Sequence, residues 1–373
     1  MTDLPALKPE RPYFSSGPCA KPPVWNPAKL DTQVLGRSHR SKLGKARLQY
    51  YIDLMRELLE LPDTHHIGIV PGSDTGAFEM AMWTMLGARP VTAMAWESFG
   101  AGWVTDAVKQ LKIDPIVLEA PYGEIPDLDA VDWSHDVLFT WNGTTSGARV
   151  PNADWIATDR EGLSFADATS AVFAQAIDWS KIDVATFSWQ KVLGGEGAHG
   201  VLILGPRAVE RLESYTPTWP LPKVFRLTKG GKLIEGIFKG ETINTPSMLA
   251  VEDAILSLEW AKEIGGAAAM RARADANAAA LDAIVQKRDW LGHLVANPAI
   301  RSNTSVCLTV EGADADFIKG FAKLLEDADA AYDIAGYRDA PPGLRIWCGA
   351  TVETADVEAL GPWLDWAWAE SRK

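Results

Sequence analysis

Cysteine is scarce: the 373 residues hold three, Cys19, Cys307 and Cys348. They are far apart with no CxxC spacing, so neither a disulfide framework nor a zinc or other metal site is expected. Free thiols in a reducing compartment are the simple reading. Long apolar runs are lacking as well. No stretch approaches the roughly 18 residues of a membrane-spanning helix. The segment Met1 to Pro12 mixes charges with prolines and has no apolar core of a secretory signal. Basic residues are outnumbered, 36 Lys and Arg against 49 Asp and Glu, for a net charge of −13. That balance argues against nucleic acid as the main partner, because a polyphosphate normally needs a basic surface. It leaves room for a small anion held in a local basic pocket. A cytoplasmic protein with no membrane partner is expected, in which the sequons at Asn142–Thr144 and Asn303–Ser305 are chance.

What is present is ordinary in bulk and unusual in one respect. Hydrophobic residues make up 47% and charged residues 23%, a globular composition. At roughly 100–200 residues per domain the length suggests two domains, or one large and one small. Tryptophan is the oddity: 16 residues, more than Phe at 11 or Tyr at 7.

Residues 1–30 are proline-rich and predict an extended arm, followed by an amphipathic helix over Lys42–Leu61 that stops at Pro62. From His65 short apolar runs alternate with helices. Strands are expected at His66–Val70, Val91–Trp96, Pro115–Ala120, Val137–Trp141, Leu163–Ala166, Val184–Phe187 and Val201–Leu204, with helices at Asp74–Leu86 and Gly100–Leu111. Such runs, buried on both faces, read as an α/β sheet of mostly parallel strands. A long helix over Thr245–Ile264 bridges to a second unit. From about residue 267 the pattern is helix, strand Ser305–Val310, helix Asp314–Asp327, strand Leu344–Cys348, helix Thr354–Ser371, a small α+β domain.

Four features carry candidate chemistry. Gly195–Gly200 matches the GxGxxG string, but a nucleotide fingerprint needs a strand before it and a helix after, and here the strand follows. The glycines are better read as a tight turn near something bulky. Lys191 falls just after a buried strand, where desolvation lowers an amine's pKa and suits it to a Schiff base; the alternative is a snorkelling surface lysine. Asp167 closes another strand, 24 residues earlier, and a carboxylate there can keep a cofactor's ring nitrogen protonated; the alternative is a turn or cap aspartate. Gly72–Gly76 makes a strand-to-helix turn whose N–H groups suit a phosphate, with Ser73 and Thr75 as extra donors. An ordinary N-cap is the alternative there, and Asp74 opposes the phosphate unless its side chain points away.

The order of these features, phosphate turn, aromatic, polar loop, acid and lysine, matches the fold-type I pyridoxal-phosphate enzymes. With Phe14-Ser15-Ser16-Gly17-Pro18, Ser38-His39-Arg40, Ile243-Asn244-Thr245-Pro246 and Gln190-Lys191 in place, nearly the whole chain resembles the phosphoserine aminotransferase family of class-V aminotransferases. The resemblance implies an α/β fold-type I transferase. It has an arm over residues 1–15, a large pyridoxal-phosphate-binding domain over 16–262 built on a mostly parallel seven-stranded sheet, and a small C-terminal α+β domain over 263–373. It implies Lys191 as the residue that binds the cofactor and shuttles a proton, and Asp167 on the ring nitrogen. It places Phe99 against the ring, where members usually have Trp, and Thr144 by the phenolic oxygen. Gln190 and the backbone of Asp74 and Thr75 would hold the phosphate, Thr75 standing where many members carry arginine. Asn244 and Thr245 would reach that phosphate from the other subunit of a homodimer with shared active sites. Ser16, His39, Arg40, Arg345 and, less centrally, Arg338 would bind substrate. The implied reaction is ping-pong transfer of an amino group from L-glutamate to 3-phosphohydroxypyruvate in serine synthesis. Phosphohydroxythreonine-type substrates of vitamin B6 synthesis are further candidates. A serine- or alanine–glyoxylate transaminase of the same fold is the competing reading, opposed by His39, Arg40 and Arg338, since arginine forks suit phosphate and carboxylate.

Overall fold

The computed structural model describes residues 3–373; the first two residues of the expected arm lie outside the described residues. Helix α1, Lys42–Leu58, starts where the Ser41 hydroxyl accepts the Gly44 N–H and buries Leu48, Tyr51, Ile52 and Met55 along one stripe. The sheet then builds in steps: β1 His66–Pro71, α2 Ser73–Met85, β2 Val91–Ala95, α3 Ser98–Lys109, β3 Ile116–Glu119, β4 Asp136–Thr140, β5 Ser164–Asp167, β6 Val184–Ser188 and β7 His199–Leu204. Helix α4, Pro206–Ser214, and a hairpin of β8, Thr228–Lys229, with β9, Lys232–Leu233, were not foreseen from the sequence.

The seven strands lie in the order β1-β7-β6-β5-β4-β2-β3. All run one way except β7, which is antiparallel to both β1 and β6. Alternate residues divide between two cores, one on each face. Ile67, Ile69, Val137, Phe139, Val201 and Ile203 belong to one; Val70, Leu138, Phe165, Leu202 and Leu204 belong to the other. This two-residue period explains why the strands read as continuous apolar runs.

The rest of the chain comprises α5 Met248–Glu263, α6 Gly266–Val285, β10 Leu291–His293, β11 Ser305–Val310, α7 Ala315–Asp327, β12 Gly343–Trp347 and α8 Thr354–Ser371. The last three strands form an antiparallel sheet in the order β10-β11-β12. Most of the tryptophans are structural. Trp141, Trp189 and Trp347 are fully buried, and Trp290 stacks on Trp368 at 4.6 Å. Among the described residues no helix is long and apolar enough to cross a membrane.

One buried carboxylate ties the N-terminal segment to this frame. Asp253 on α5 accepts from Lys21 Nζ at 2.9 Å, from Trp25 Nε1 at 2.8 Å and from the Glu196 N–H at 2.8 Å. It thereby fixes both the arm and the loop that follows Lys191. Charge-assisted hydrogen bonds of this kind contribute about 1.5–3 kcal/mol each when one partner is removed. Asp253→Ala is expected to lower the urea midpoint by about 3 kcal/mol of stability and to expose residues 19–25 to proteolysis, as followed by urea titration and limited digestion. An unchanged midpoint and digest would show that the arm is held elsewhere.

Candidate active site

Because β1, β2, β4, β5 and β6 are parallel, their carboxyl ends meet at one edge of the sheet, and β7 begins there, with His199 opposite Pro71 and Gly200 opposite Ser188. Ligands of open α/β sheets sit at such an edge. Every candidate that closes a strand therefore comes to one place.

Lys191 follows β6 by three residues, and its Nζ donates to the Ser16 carbonyl. Gly17 makes that approach possible, since a Cβ there would stand 2.5 Å from Lys191 Nζ. Burial pushes the Lys191 amine below its ordinary range, with Arg345 adding to the effect and Cys19, Asp167 and Asp74 opposing it. Asp167, 4% exposed, ends β5. Its Oδ1 accepts the Thr169 N–H at 3.1 Å, and its Oδ2 accepts Trp103 Nε1 at 3.0 Å. Both donors favour the charged carboxylate.

The turn between β1 and α2 is open toward the same edge. Gly72 takes φ +87°, so the N-terminus of α2 begins at Ser73 with its first N–H groups free of a side-chain cap. Thr75 is exposed, and Asp74 is buried with its carboxyl directed toward Asp167, Thr169 and Thr186. Nearby, Ser188 Oγ and Gln190 Oε1 are buried without a hydrogen-bond partner. The GxGxxG glycines do what a tight turn needs: a Cβ at Gly195 would press on Trp189 at 3.1 Å. Trp189 itself lies between Tyr51 and His199, with ring centroids 5.0 and 4.9 Å away.

Thr144 is buried in a hydroxyl network. Its Oγ1 donates to Ser170 Oγ at 2.8 Å, and its carbonyl accepts from Ser305 Oγ at 2.6 Å. Ser305 Oγ in turn lies 3.4 Å from Ser16 Oγ. Phe99 opens α3, held by Glu97, which accepts the Gly100 N–H at 2.7 Å and Thr145 Oγ1 at 2.8 Å. The Phe99 ring is 39% exposed, 5.9 Å from the Tyr337 ring. One turn on, Trp103 is the residue that sequence reasoning missed. Its position four after Phe99 on one helix face was the available signal.

The substrate candidates divide. Arg345, on β12, lies among Cys19, Cys307 and Lys191 with its guanidinium 5.7 Å from the Tyr337 ring. Its Nε is buried without a partner, and among the described residues no carboxylate pairs with it. His39 and Arg40 instead line a cavity of about 170 Å³ with Lys45 and Gly240–Thr242. Asn244 and Thr245 follow directly and are exposed. The segment is anchored where the Ser247 N–H donates to His199 Nε2 at 3.0 Å. Burial pushes His199 below the usual histidine range, which keeps that nitrogen an acceptor. Arg338 points to solvent and pairs with Asp339 at 3.4 Å, so it is not gathered with Lys191. Among the described residues no cluster of three His, Cys, Asp or Glu could hold a metal ion.

A buried lysine and a buried carboxylate at the carboxyl edge of this sheet, beside a helix start without a side-chain cap, fit a fold-type I pyridoxal-phosphate transferase. The family model "Aminotransferase class-V" matches residues 131–338. A phosphoserine aminotransferase of Methanosarcina barkeri is 57% identical over 98% of this chain and 98% of its own. A phosphoserine aminotransferase structure from Cytophaga hutchinsonii superposes with TM-score 0.84 at 22% identity, covering 96% of this chain and 99% of that one. An alanine–glyoxylate aminotransferase from Nostoc superposes with TM-score 0.80 at 19% identity, covering 98% and 97%, so the fold alone does not separate acceptors. The chain belongs to the class-V aminotransferases, in the phosphoserine aminotransferase family.

Cys19 and Cys307 border Lys191 and Arg345 but are not nucleophiles there. Burial pushes each thiol up to about 12, against the opposing pull of the neighbouring cations. At pH 8 both thiols stay protonated, and the thiol is not the reactive form. Native protein at pH 8 should therefore resist a thiol-alkylating reagent at both positions and react only after unfolding, as read by peptide mass spectrometry. Rapid native labelling of Cys19 would contradict this.

Proposed function

We infer that the chain transfers the amino group of L-glutamate to 3-phosphohydroxypyruvate, giving O-phospho-L-serine and 2-oxoglutarate, with pyridoxal 5′-phosphate as cofactor. The observation that carries this reading is the Lys191 amine, enclosed beside the Ser16 carbonyl and within the field of an arginine that has no acid partner. The residues present fit the cofactor. The unpartnered Ser188 hydroxyl, together with the uncapped start of α2, offers donors for a phosphate. Asp167, both of whose oxygens accept N–H groups, is the carboxylate that would face a protonated ring nitrogen.

When bound, the cofactor supplies an electron sink for charge developing at the substrate Cα. Lys191 Nζ, made nucleophilic by burial, would hold the cofactor and, once released from it, would take the proton from the substrate Cα and deliver it to the cofactor. Asp167 would keep the ring nitrogen protonated, and Trp103 and Thr169 hold Asp167. Phe99 would pack against the ring and help exclude water. Thr144, fixed through Ser170, would help orient it. Gln190 and the backbone at Asp74 and Thr75 bind the phosphate. Arg345 and Ser16 bind the substrate carboxylate.

Asn244 and Thr245 are exposed and follow, after Ile243, the Gly240–Thr242 segment that lines a cavity with His39 and Arg40. In a homodimer these four residues would complete the other subunit's site, bringing a second set of cationic groups to the substrate phosphate. Arg338 would join only by leaving Asp339. The boundary between a large unit ending at 262 and a small one beginning at 263 would fall at Gly265 and Gly266, whose φ values of 114° and 75° break α5 from α6. Cytoplasm is the compartment that three unpaired thiols suit.

Lys191→Ala protein is expected to lack the visible absorbance of the bound cofactor and all transamination activity. Mixed with Arg40→Ala subunits, it should recover up to about a quarter of wild-type activity, because one site in each heterodimer is then intact. A coloured, active Lys191→Ala protein would refute the assignment of the lysine. Verified heterodimers with no activity would refute the shared site.

A further inference from the structure

The buried acid that the family's chemistry does not use is Asp74. It stands in the first turn of α2, where a charged carboxylate would oppose a bound phosphate. Its side chain turns away from the turn and into the protein, 7% exposed, toward Asp167, Thr169 and Thr186. Its Oδ1 is buried without a hydrogen-bond partner, as are the Thr169 and Thr186 hydroxyl oxygens. Asp167 differs: both of its oxygens accept N–H groups, from Trp103 and from Thr169.

Two carboxylates enclosed together cannot both ionise unless a cation offsets them. The charged groups facing Asp74 are Asp167 on β5 and Lys191 after β6. Lys191 is itself pushed toward its neutral form by burial and cannot fully offset two charges. One proton therefore stays on the pair. The two N–H donors stabilise charge on Asp167, while no N–H reaches Asp74, so the proton rests on Asp74. Burial and the proximity of Asp167 both push the Asp74 carboxyl well above the usual carboxylate range.

We propose that Asp74 is a positioning residue: a neutral carboxylic acid that gives its hydrogen bond to Asp167, so that the pair carries a single negative charge, located on the acid that faces the cofactor ring. An aspartate in the anion turn is thereby made compatible with phosphate. The two ends of the cofactor site, the phosphate turn and the ring-nitrogen acid, are joined through one proton. The consequence for the cofactor rests on the assignment of Asp167 to the ring nitrogen. The protonation itself does not, so either can fail alone.

The test is carboxyl ¹³C NMR of aspartate-labelled protein, with and without cofactor, across a pH series. One aspartate signal should remain protonated at neutral pH, disappear in Asp74→Asn, and titrate lower by about one unit or more in Asp167→Asn. No protonated aspartate in the wild type at neutral pH would overturn the proposal, as would a titration that Asp167→Asn leaves unmoved. Thermal melting gives a second reading that does not need the Asp167 variant. An acid with a raised folded-state pKa loses stability as pH rises above the unfolded value of 3.8. Asp74→Asn, which still offers an N–H to Asp167, should thus melt higher than wild type at pH 7 and gain nothing near pH 3.8. A variant that melts at or below wild type at pH 7 would also overturn it.

Discussion

Everything at the carboxyl edge of the sheet follows from the cost of enclosing an amine. A charged lysine at that depth must be neutralised, paired or used. Here Arg345 raises the cost and Asp167 lowers it, leaving a nitrogen disposed to give up its proton. The surrounding structure maintains that balance. Gly17 lets the amine rest on the Ser16 carbonyl, and Asp253 fixes both Lys21 and Trp25, which follow Gly17-Pro18-Cys19, and the loop after Lys191. The thiols beside it are held in their inert form by the same burial.

A net charge of −13 and an anion-binding site coexist because charge is local. Several of the buried and half-buried cations are matched to nearby acids, as Arg211 is to Asp136 and Arg160 and Arg207 are to Asp183. Arg345 and Arg40 have no such partner among the described residues. They lie in different parts of the subunit, Arg345 beside Lys191 and Arg40 beside Gly240–Thr242. In the proposed homodimer a second subunit would unite them.

Much of this was legible in the sequence. Strands buried on both faces gave clear apolar runs, and the stretches Ser305–Val310 and Thr354–Ser371 match the structure residue for residue. Lys191, Asp167 and the Gly72 turn were identifiable because each closes or follows a strand, and parallel pairing then brings strand ends together. What stayed hidden depends on side-chain direction across the fold. Trp103 reaches Asp167 from a helix 64 residues earlier, and its spacing from Phe99 marks the shared helix face but not the acid it meets. The side chain of Asp74 turns inward from the phosphate turn. His39 and Arg40 lie apart from Arg345, although all three suit the same anion. The sequence also concealed the antiparallel course of β7, whose apolar run reads the same in either direction.

The central claim is that the cations serve a phosphorylated acceptor. Its most direct test is the ratio of kcat/KM for 3-phosphohydroxypyruvate to that for glyoxylate, measured on purified protein with glutamate as donor. Charge-assisted contacts to one phosphate supply about 3 kcal/mol, so a preference of about a hundredfold or more is expected. An equal or greater kcat/KM with glyoxylate would contradict it.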